Sequence, residues 1–595
     1  MICYDFKKLK TYMVILGKGD YMLDYNSLLM NEYIPGELPP CFGSKDLADN
    51  SIRVLNLIKA VGRDYSIPLK FSGYKSESSR RTFAVPNPYH YCKAVQVIIE
   101  NIGELEPIFS SSPYSLSAPI KGKAKIGQAY FKRSNSVSES KAEIEKCFQN
   151  NKYEIRLDIN SFFDSVYTHS IPWAIHGIPI SKSRRNDDTL LGNKIDKAMR
   201  ALNYDQTNGI LIGNALSRII SEIILCSIDK EISKEFGDIK CCRYVDDYYI
   251  FTKDSTQIQQ IIAFIRNKLA VFELRFNESK IQIIESPFIY GKPWVENIKQ
   301  YMNFSPDIFL TRLVSEYKHY KDISIFKYGL KILQFFDFSN DDWSAMQSRL
   351  INLLVSFPSL SDLIIKIFLR NKDRIKTTSL KAALYSIIDE CILLKKEQEL
   401  VWAIWFLKVF SLKISQDYTV KVLRSKNDLA MIILLSIISE KERKKNPKIV
   451  ACIKELRSEL KDAETDDRGN YNSVMWSSRW LLAYEANRNK WLNLPDDPLE
   501  YAKKNAFFNE LLNLKIKFFD CDYTYSLTEE PTVKYEYATR NELYQSVNML
   551  KKLIKMASDT TSNKAGHEES SDDIKRSDTI ERIIALVEKD SAGYI

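Results

Sequence analysis

Histidine is scarce in this chain, with five among 595 residues. That scarcity argues against imidazole-based chemistry and against a His-rich metal site. The ten cysteines are scattered and form no C-x-x-C pair. This pattern fits reduced thiols better than a disulfide framework or a zinc site. Glycine drops out between 331 and 468. The longest apolar runs, such as "LAMIILLSII" at 429–438, are too short for a bilayer and read as buried helices. The first residues, "MICYDFKKLKTYMVILGKGDYM", lack the uninterrupted apolar core and cleavage site of a signal peptide. A cytoplasmic protein with no membrane partner is the expectation.

What is present is a globular composition: 45% hydrophobic, 27% charged and 12% aromatic residues. The length allows about two to four domains with large cores. A net charge of +9 is compatible with nucleic acid or nucleotide partners but modest for the length. Residues 1–50 form an N-terminal extension ending in "NEYIPGELPPCFGSKD", whose Pro and Gly predict an exposed loop. Residues 51–295 alternate strand-like and helical patterns, an α+β segment. From 296 to 520 apolar helical stretches recur, as in "LSDLIIKIFLR" and "ELVWAIWFLKVF", fitting stacked helix pairs or an irregular bundle. Residues 521–595 are Tyr-rich and then strongly polar, which predicts partial disorder.

Two adjacent carboxylates, Asp246 and Asp247, sit between the strand-like runs "KCCRYV" and "YYIFT". Side chains alternate along a strand, so both can enter one cleft only if a tight turn lies between the runs. Like charges held together repel, and a cation is the usual remedy. Asp158 ends another strand-like run, "YEIRLD". Across an antiparallel pair it would stand about 5 Å from the hairpin. That spacing suits two divalent cations roughly 4 Å apart, the arrangement that clamps the oxygens of nucleotidyl transfer. Of the phenylalanines that follow, Phe162 reads as core.

"RLDINSFFDSV" and "RYVDDYYIF" resemble the catalytic A and C motifs of reverse transcriptases. Between them "NGILIGNALSRIISEIIL" resembles motif B, and "LRFNESKIQI" resembles motif D. Upstream, "RRTFAVPNPYHY" resembles the fingers motif. The resemblance implies a fingers–palm fold at 51–295 with Asp158, Asp246 and Asp247 as catalytic residues. It implies two Mg²⁺ ions (Mn²⁺ as substitute) held by these carboxylates and the Ile159 carbonyl. Arg80 or Arg81, together with Lys280, would grip the triphosphate of a dNTP, and Phe163 would lie under its sugar. Gly213 and Asn214 would border the nucleotide, although templated enzymes usually carry Pro-Gln-Gly where this chain has Ile212, Gly213 and Asn214.

"VYTHSIPWAIHG", "IGNALSRIISE" and "KNAFFNELLNLKIKFFDCD" further resemble the AbiK-like abortive-infection polymerases of phage defence. That likeness implies an all-α, HEAT-like helical-repeat domain at 296–520 in place of a thumb. It also implies single-stranded DNA made without a template, covalently attached to the protein, and a homo-oligomer (trimer or hexamer). A protein primer needs a hydroxyl on a mobile segment. Tyr33, at the edge of the Pro/Gly-rich loop, is the leading candidate, with Tyr594 and Tyr525 as rivals. His169 and Trp173 are candidates for the site, His169 reading better as structural. Trp402, Trp405, Trp476 and Trp480 read mostly as core, with a strand-lining channel as the alternative. Two rival functions remain: an RNA-templated reverse transcriptase with a dedicated noncoding RNA, and a catalytically silent RNA-binding scaffold.

Overall fold

The computed structural model describes residues 25–30, 33–58, 63–119, 137–288, 291–463, 473–494 and 497–527. Tyr594 and the polar tail lie outside them. The chain forms two compact units, one of Met1–Ile289 with Ile388–Tyr523 and one of Tyr290–Ile387 with Thr524–Ile595. This grouping differs from the expected division into 51–295 and 296–520. Residues 388–523 pack with the α+β segment because their helices supply side chains that its strands and loops need.

In the first unit, β1 (Leu69–Tyr74) and β2 (Arg80–Val85) form an antiparallel hairpin. Leu69 and Phe71 are buried while Lys70 between them is exposed, the alternation of a half-buried strand. After β2, Asn87 caps α1 (Pro88–Glu100) by accepting from the Tyr89 N–H, and Pro88 at the first turn fits the fixed φ of a helix start. The palm sheet has strand order β4-β5-β3-β6 and is antiparallel throughout, with β3 at Tyr153–Asp158. Behind it lies α2 (Ala215–Phe236), apolar on most sides and accordingly buried along Ile219, Ile220, Ile223 and Ile224. Next come β4 (Lys240–Tyr244), β5 (Asp247–Thr252), α3 (Thr256–Val271) and the short β6 (Gln282–Glu285).

The outer edge of β1 would present unpaired peptide groups. Instead the Ser72 N–H donates to Glu397 Oε2 at 2.6 Å and the Tyr74 N–H to Gln398 Oε1 at 2.9 Å. Both acceptors stand at the start of α4 (Glu397–Val409). The four tryptophans are core residues, none more than 7% exposed, so they line no channel.

The N-terminal loop is the clearest departure from expectation. It is clamped, not exposed. Glu37 O accepts from Trp402 Nε1 at 2.8 Å, Phe42 bridges to Phe519, and the Gly43 N–H donates to Phe518 O. Tyr33 is fully buried, its ring tilted against Tyr91 at 4.4 Å between centroids, with its hydroxyl donating to Pro86 O at 2.7 Å. Proline and glycine here shape a packed loop because aromatic partners far along the chain cover it.

The second unit is helical. Helices Pro306–Tyr320 and Ser324–Leu333 pack so closely at Gly329 that an added Cβ would stand 2.2 Å from Leu313 Cδ1. Phe309, Leu313, Phe326, Leu350, Ile364 and Phe368 are buried in this unit. Among the described residues no single helix is long and apolar enough to cross a membrane.

A chain ending at residue 300 would lack Glu397, Gln398, Trp402, Phe518 and Phe519. Such a fragment should be insoluble, because the β1 edge and the apolar side of the 33–43 loop become exposed together. Soluble yield and circular dichroism check this; a soluble fragment with native activity contradicts it.

Candidate active site

The hairpin joining β4 and β5 closes with Tyr244 opposite Asp247, leaving only Val245 and Asp246 in the turn. Val245 has φ +53°, the left-handed region that a two-residue hairpin requires at its first position and that glycine usually fills. For a β-branched residue this conformation costs on the order of 1–3 kcal/mol. The turn takes Asp246 out of strand alternation, so it can share one cleft with its neighbour. Asp247 is the direct cross-strand partner of Asp158.

The chain after α3 returns along the end of β3. Asn160 N–H donates to Arg275 O at 2.9 Å, Ile159 bridges to Phe276, and Asn277 N–H donates to Asp158 O at 2.8 Å. A short 3-10 turn at Glu278–Lys280 then places Lys280 Nζ 3.0 Å from Asp158 Oδ2.

Burial pushes the Asp246 carboxyl up to about 6, and Asp158 adds to the rise, while Arg81 and Lys280 pull it back. Asp247 is pushed up to about 7 by burial first, then by the charges of Asp246 and Asp158. Three carboxylates thus face two cations, and their negative charge is incompletely offset. Among the described residues no three acidic, His or Cys side chains stand in a ready metal-holding cluster. Lys280 occupies one Asp158 oxygen, and Asp247 faces Asp158 directly across the strands. The donor set nevertheless fits Mg²⁺ or Mn²⁺, since it consists of hard carboxylate oxygens with surplus charge.

The two fingers arginines separate. Arg80 is tied down, with Nη2 2.6 Å from Glu399 Oε2 and Nε 2.5 Å from Ser72 Oγ. Arg81, on the opposite face of β2, carries no ion pair among the described residues, and its charge reaches Asp246. Arg80 is thereby corrected from a triphosphate contact to a fingers anchor. Phe162 is 2% exposed, whereas Phe163 is half-buried and meets it edge-on at 5.3 Å.

Motif B behaves differently from expectation. Gly213 has φ +99°, and an added Cβ would meet Pro35 Cγ at 2.7 Å, so its close approach is to the N-terminal loop. Asn214 is 2% exposed. Its side chain caps α2 by accepting from the Ser217 N–H at 3.2 Å and donates to Leu211 O at 2.7 Å. Its assignment as a nucleotide contact is corrected: the amide is buried, with its oxygen and its nitrogen each engaged within the turn. His169 Nδ1 lies 2.9 Å from Asp196 Oδ2, a structural pairing, and Lys182 stands over Trp173. Tyr33 is likewise corrected as the primer. Burial raises its phenol pKa well above the ordinary value, opposite to what a nucleophile needs, and its segment is held. Tyr525 is half-buried. Pro35 was missed, because nothing local in the sequence signals its contact with Gly213.

Residues 75–300 match the family model described as reverse transcriptase (RNA-dependent DNA polymerase). This segment resembles a reverse transcriptase domain, and the match supports nucleotidyl-transfer chemistry of the polymerase kind within it. No curated protein matches. Solved structures that resemble the chain include apo telomerase from Candida tropicalis truncated from its C-terminal domain. It is 13% identical, with 39% of this chain and 52% of that chain covered and a TM-score of 0.27. Telomerase from Candida albicans in complex with a telomeric RNA fragment is 11% identical, over 57% and 63% of the two chains, with a TM-score of 0.27. Apo telomerase from Candida tropicalis is 13% identical, over 73% of each chain, with a TM-score of 0.30. This chain thus spans about half of the first structure's length, and scores this low carry no argument about fold or activity.

A carboxyl whose pKa is raised on folding stabilises the fold while protonated, and this contribution is lost as pH rises through the folded value. For Asp247 the window runs from the ordinary 3.8 to about 7. In metal-free protein Asp247→Asn should therefore raise stability at pH 8 by on the order of 1 kcal/mol, the group being only half buried. The gain should shrink toward pH 4. Thermal melts in EDTA across this range check it, and a pH-independent difference would contradict it.

Proposed function

We propose that this protein is a metal-dependent DNA polymerase that starts on protein, works without a template and acts in antiphage defence. The observation that carries the polymerase reading is the convergence of Asp158, Asp246 and Asp247 with Lys280 and Arg81 at one corner of the palm sheet. The finer reading is supported by the resemblance to AbiK-like abortive-infection enzymes. It is also supported by motif B, where Asn214 is used as a helix cap and Pro35 covers Gly213. A templating strand would need that surface free. The same resemblance favours a cytoplasmic homo-oligomer, trimer or hexamer, with HEAT-like helices in place of a thumb.

Asp158, Asp246 and Asp247 would hold two divalent ions, with the Ile159 carbonyl contributing. When bound, such ions neutralise developing charge and lower the pKa of an attacking hydroxyl. The protein's own groups do the remaining work. Arg81 and Lys280 neutralise and orient the dNTP triphosphate, the guanidinium offering paired donors. The half-buried Phe163 ring lies beneath the sugar and leaves no room for a 2′-hydroxyl. The growing single strand stays attached to a tyrosine other than Tyr33.

Full-length protein incubated with Mg²⁺ and each labelled dNTP should become labelled and migrate slowly on a denaturing gel. Asp246→Ala should abolish labelling, because it removes several kcal/mol of transition-state stabilisation. Normal extension by that variant would sink the assignment. Tyr33→Phe should still be labelled, and peptide mapping of the adduct names the primer. Phe163→Ala should admit ribonucleotides; unchanged discrimination returns Phe163 to the core.

The match to an RNA-dependent DNA polymerase model favours a second reading, RNA-templated synthesis on a dedicated noncoding RNA. RNase treatment before the assay separates the two. Lost incorporation supports the templated enzyme, and retained labelling supports the untemplated one.

A further inference from the structure

Behind the Asp246–Asp247 turn lies a wholly buried ionic cluster with no direct part in the site described above. Arg243 on β4 is fully buried, as are Glu222 and Asp229 on α2. The guanidinium reaches Glu222 through Nη1 at 3.2 Å and Nη2 at 3.1 Å, and Asp229 through Nε at 2.8 Å. Ser115 and Ser117 donate to Glu222, and Ser112 and Tyr248 donate to Asp229. The chain at 114–116 is bonded to both backbone groups of Arg243, fixing the residue along the edge of β4.

Two further bonds tie this cluster to Val245. Arg243 Nη1 donates to Val245 O at 2.8 Å, and the Val245 N–H donates to Ser117 Oγ at 2.9 Å. Val245 is the turn residue with φ +53°. Both of its peptide groups are therefore held in a conformation that a β-branched side chain disfavours.

We propose that Arg243 is a positioning residue for the active site: with Ser117 it locks Val245 left-handed and so aims Asp246 and Asp247 at Asp158. This rests on the reading of those carboxylates as metal ligands. A stability role alone does not explain the cluster, since apolar residues of similar volume commonly stabilise as well as a buried ion network. Apolar side chains could not hold the Val245 peptide groups.

The test removes the whole cluster at once, because losing Arg243 alone would strand two buried carboxylates. Full-length Arg243→Met/Glu222→Gln/Asp229→Asn should melt close to wild type. Its affinity for Mn²⁺, read by electron paramagnetic resonance, should fall by about tenfold or more, as for other groups that orient metal ligands. The kcat should fall with it, while KM for dNTP moves little. Adding Val245→Gly, which accepts the left-handed turn freely, should restore part of the Mn²⁺ affinity. A folded triple variant with wild-type Mn²⁺ affinity and kcat overturns the proposal. If the triple variant does not fold, Ser117→Ala decides: it removes the acceptor of the Val245 N–H and one of the donors to Glu222 while leaving the ion pairs of Arg243 in place, and unchanged Mn²⁺ affinity there also overturns the proposal. Wild-type protein that binds no Mn²⁺ removes the carboxylate reading itself, a distinct failure.

Discussion

Carboxylates gathered at one sheet corner repel, and this repulsion is the constraint around which the palm is built. Asp158 and Asp247 are cross-strand partners, and Asp246 stands beside them in the turn. Burial and mutual charge raise both hairpin carboxyls, so the metal-free site is under electrostatic load. The supports are backbone bonds. The β3 end is pinned by residues 275–277, and the turn is pinned through Val245. A site that must attract cations cannot be fully neutralised by its own protein, and Lys280 and Arg81 offset only part of the charge. Lys280 spends its charge on Asp158 alone among these carboxylates at ion-pair distance.

The fingers depend on residues more than three hundred positions away in sequence. Glu397 and Gln398 seal the open edge of β1, and Glu399 holds Arg80. The bond from Arg80 leaves its neighbour Arg81, on the other face of the strand, as the arginine directed at the cleft. Two adjacent arginines thus acquire opposite roles from strand alternation alone. The N-terminal loop is enclosed by the same architecture. Trp402 and Phe519 hold it, and Pro35 reaches the motif B glycine.

Local pattern made much of the palm legible. Alternation around "YEIRLD", "KCCRYV" and "YYIFT" marked three strands, and two adjacent aspartates between two of them required a tight turn. Lys280 was expected near a triphosphate from motif resemblance, and the structure shows it paired with Asp158. What failed depended on distant partners. The Pro/Gly run around Tyr33 has the composition of an exposed loop, and only residues near 400 and 518 make it core. Asn214 has the position of a ligand contact, but an asparagine before a helix also satisfies exposed N–H groups, and here the cap won. The grouping of helices into units depends on distant partners as well. Helical periodicity continues across residue 388 without a break in composition, and only packing shows which helices belong to which unit.

The cluster around Arg243 illustrates a limit of a different kind. The arginine precedes the two aspartates in "RYVDD", where proximity in sequence invites a role in the cleft. Its guanidinium instead turns inward, away from solvent, to carboxylates on the long helix behind the sheet. A charged residue so placed must be paired on every side, and the serines at 112, 115 and 117 complete that pairing. Once paired, it can hold backbone that apolar packing could not. The left-handed valine is the point where this fixed interior meets the reactive surface. Rigidity behind the turn, rather than contact with substrate, is what allows two mutually repelling aspartates to keep one orientation before any cation arrives.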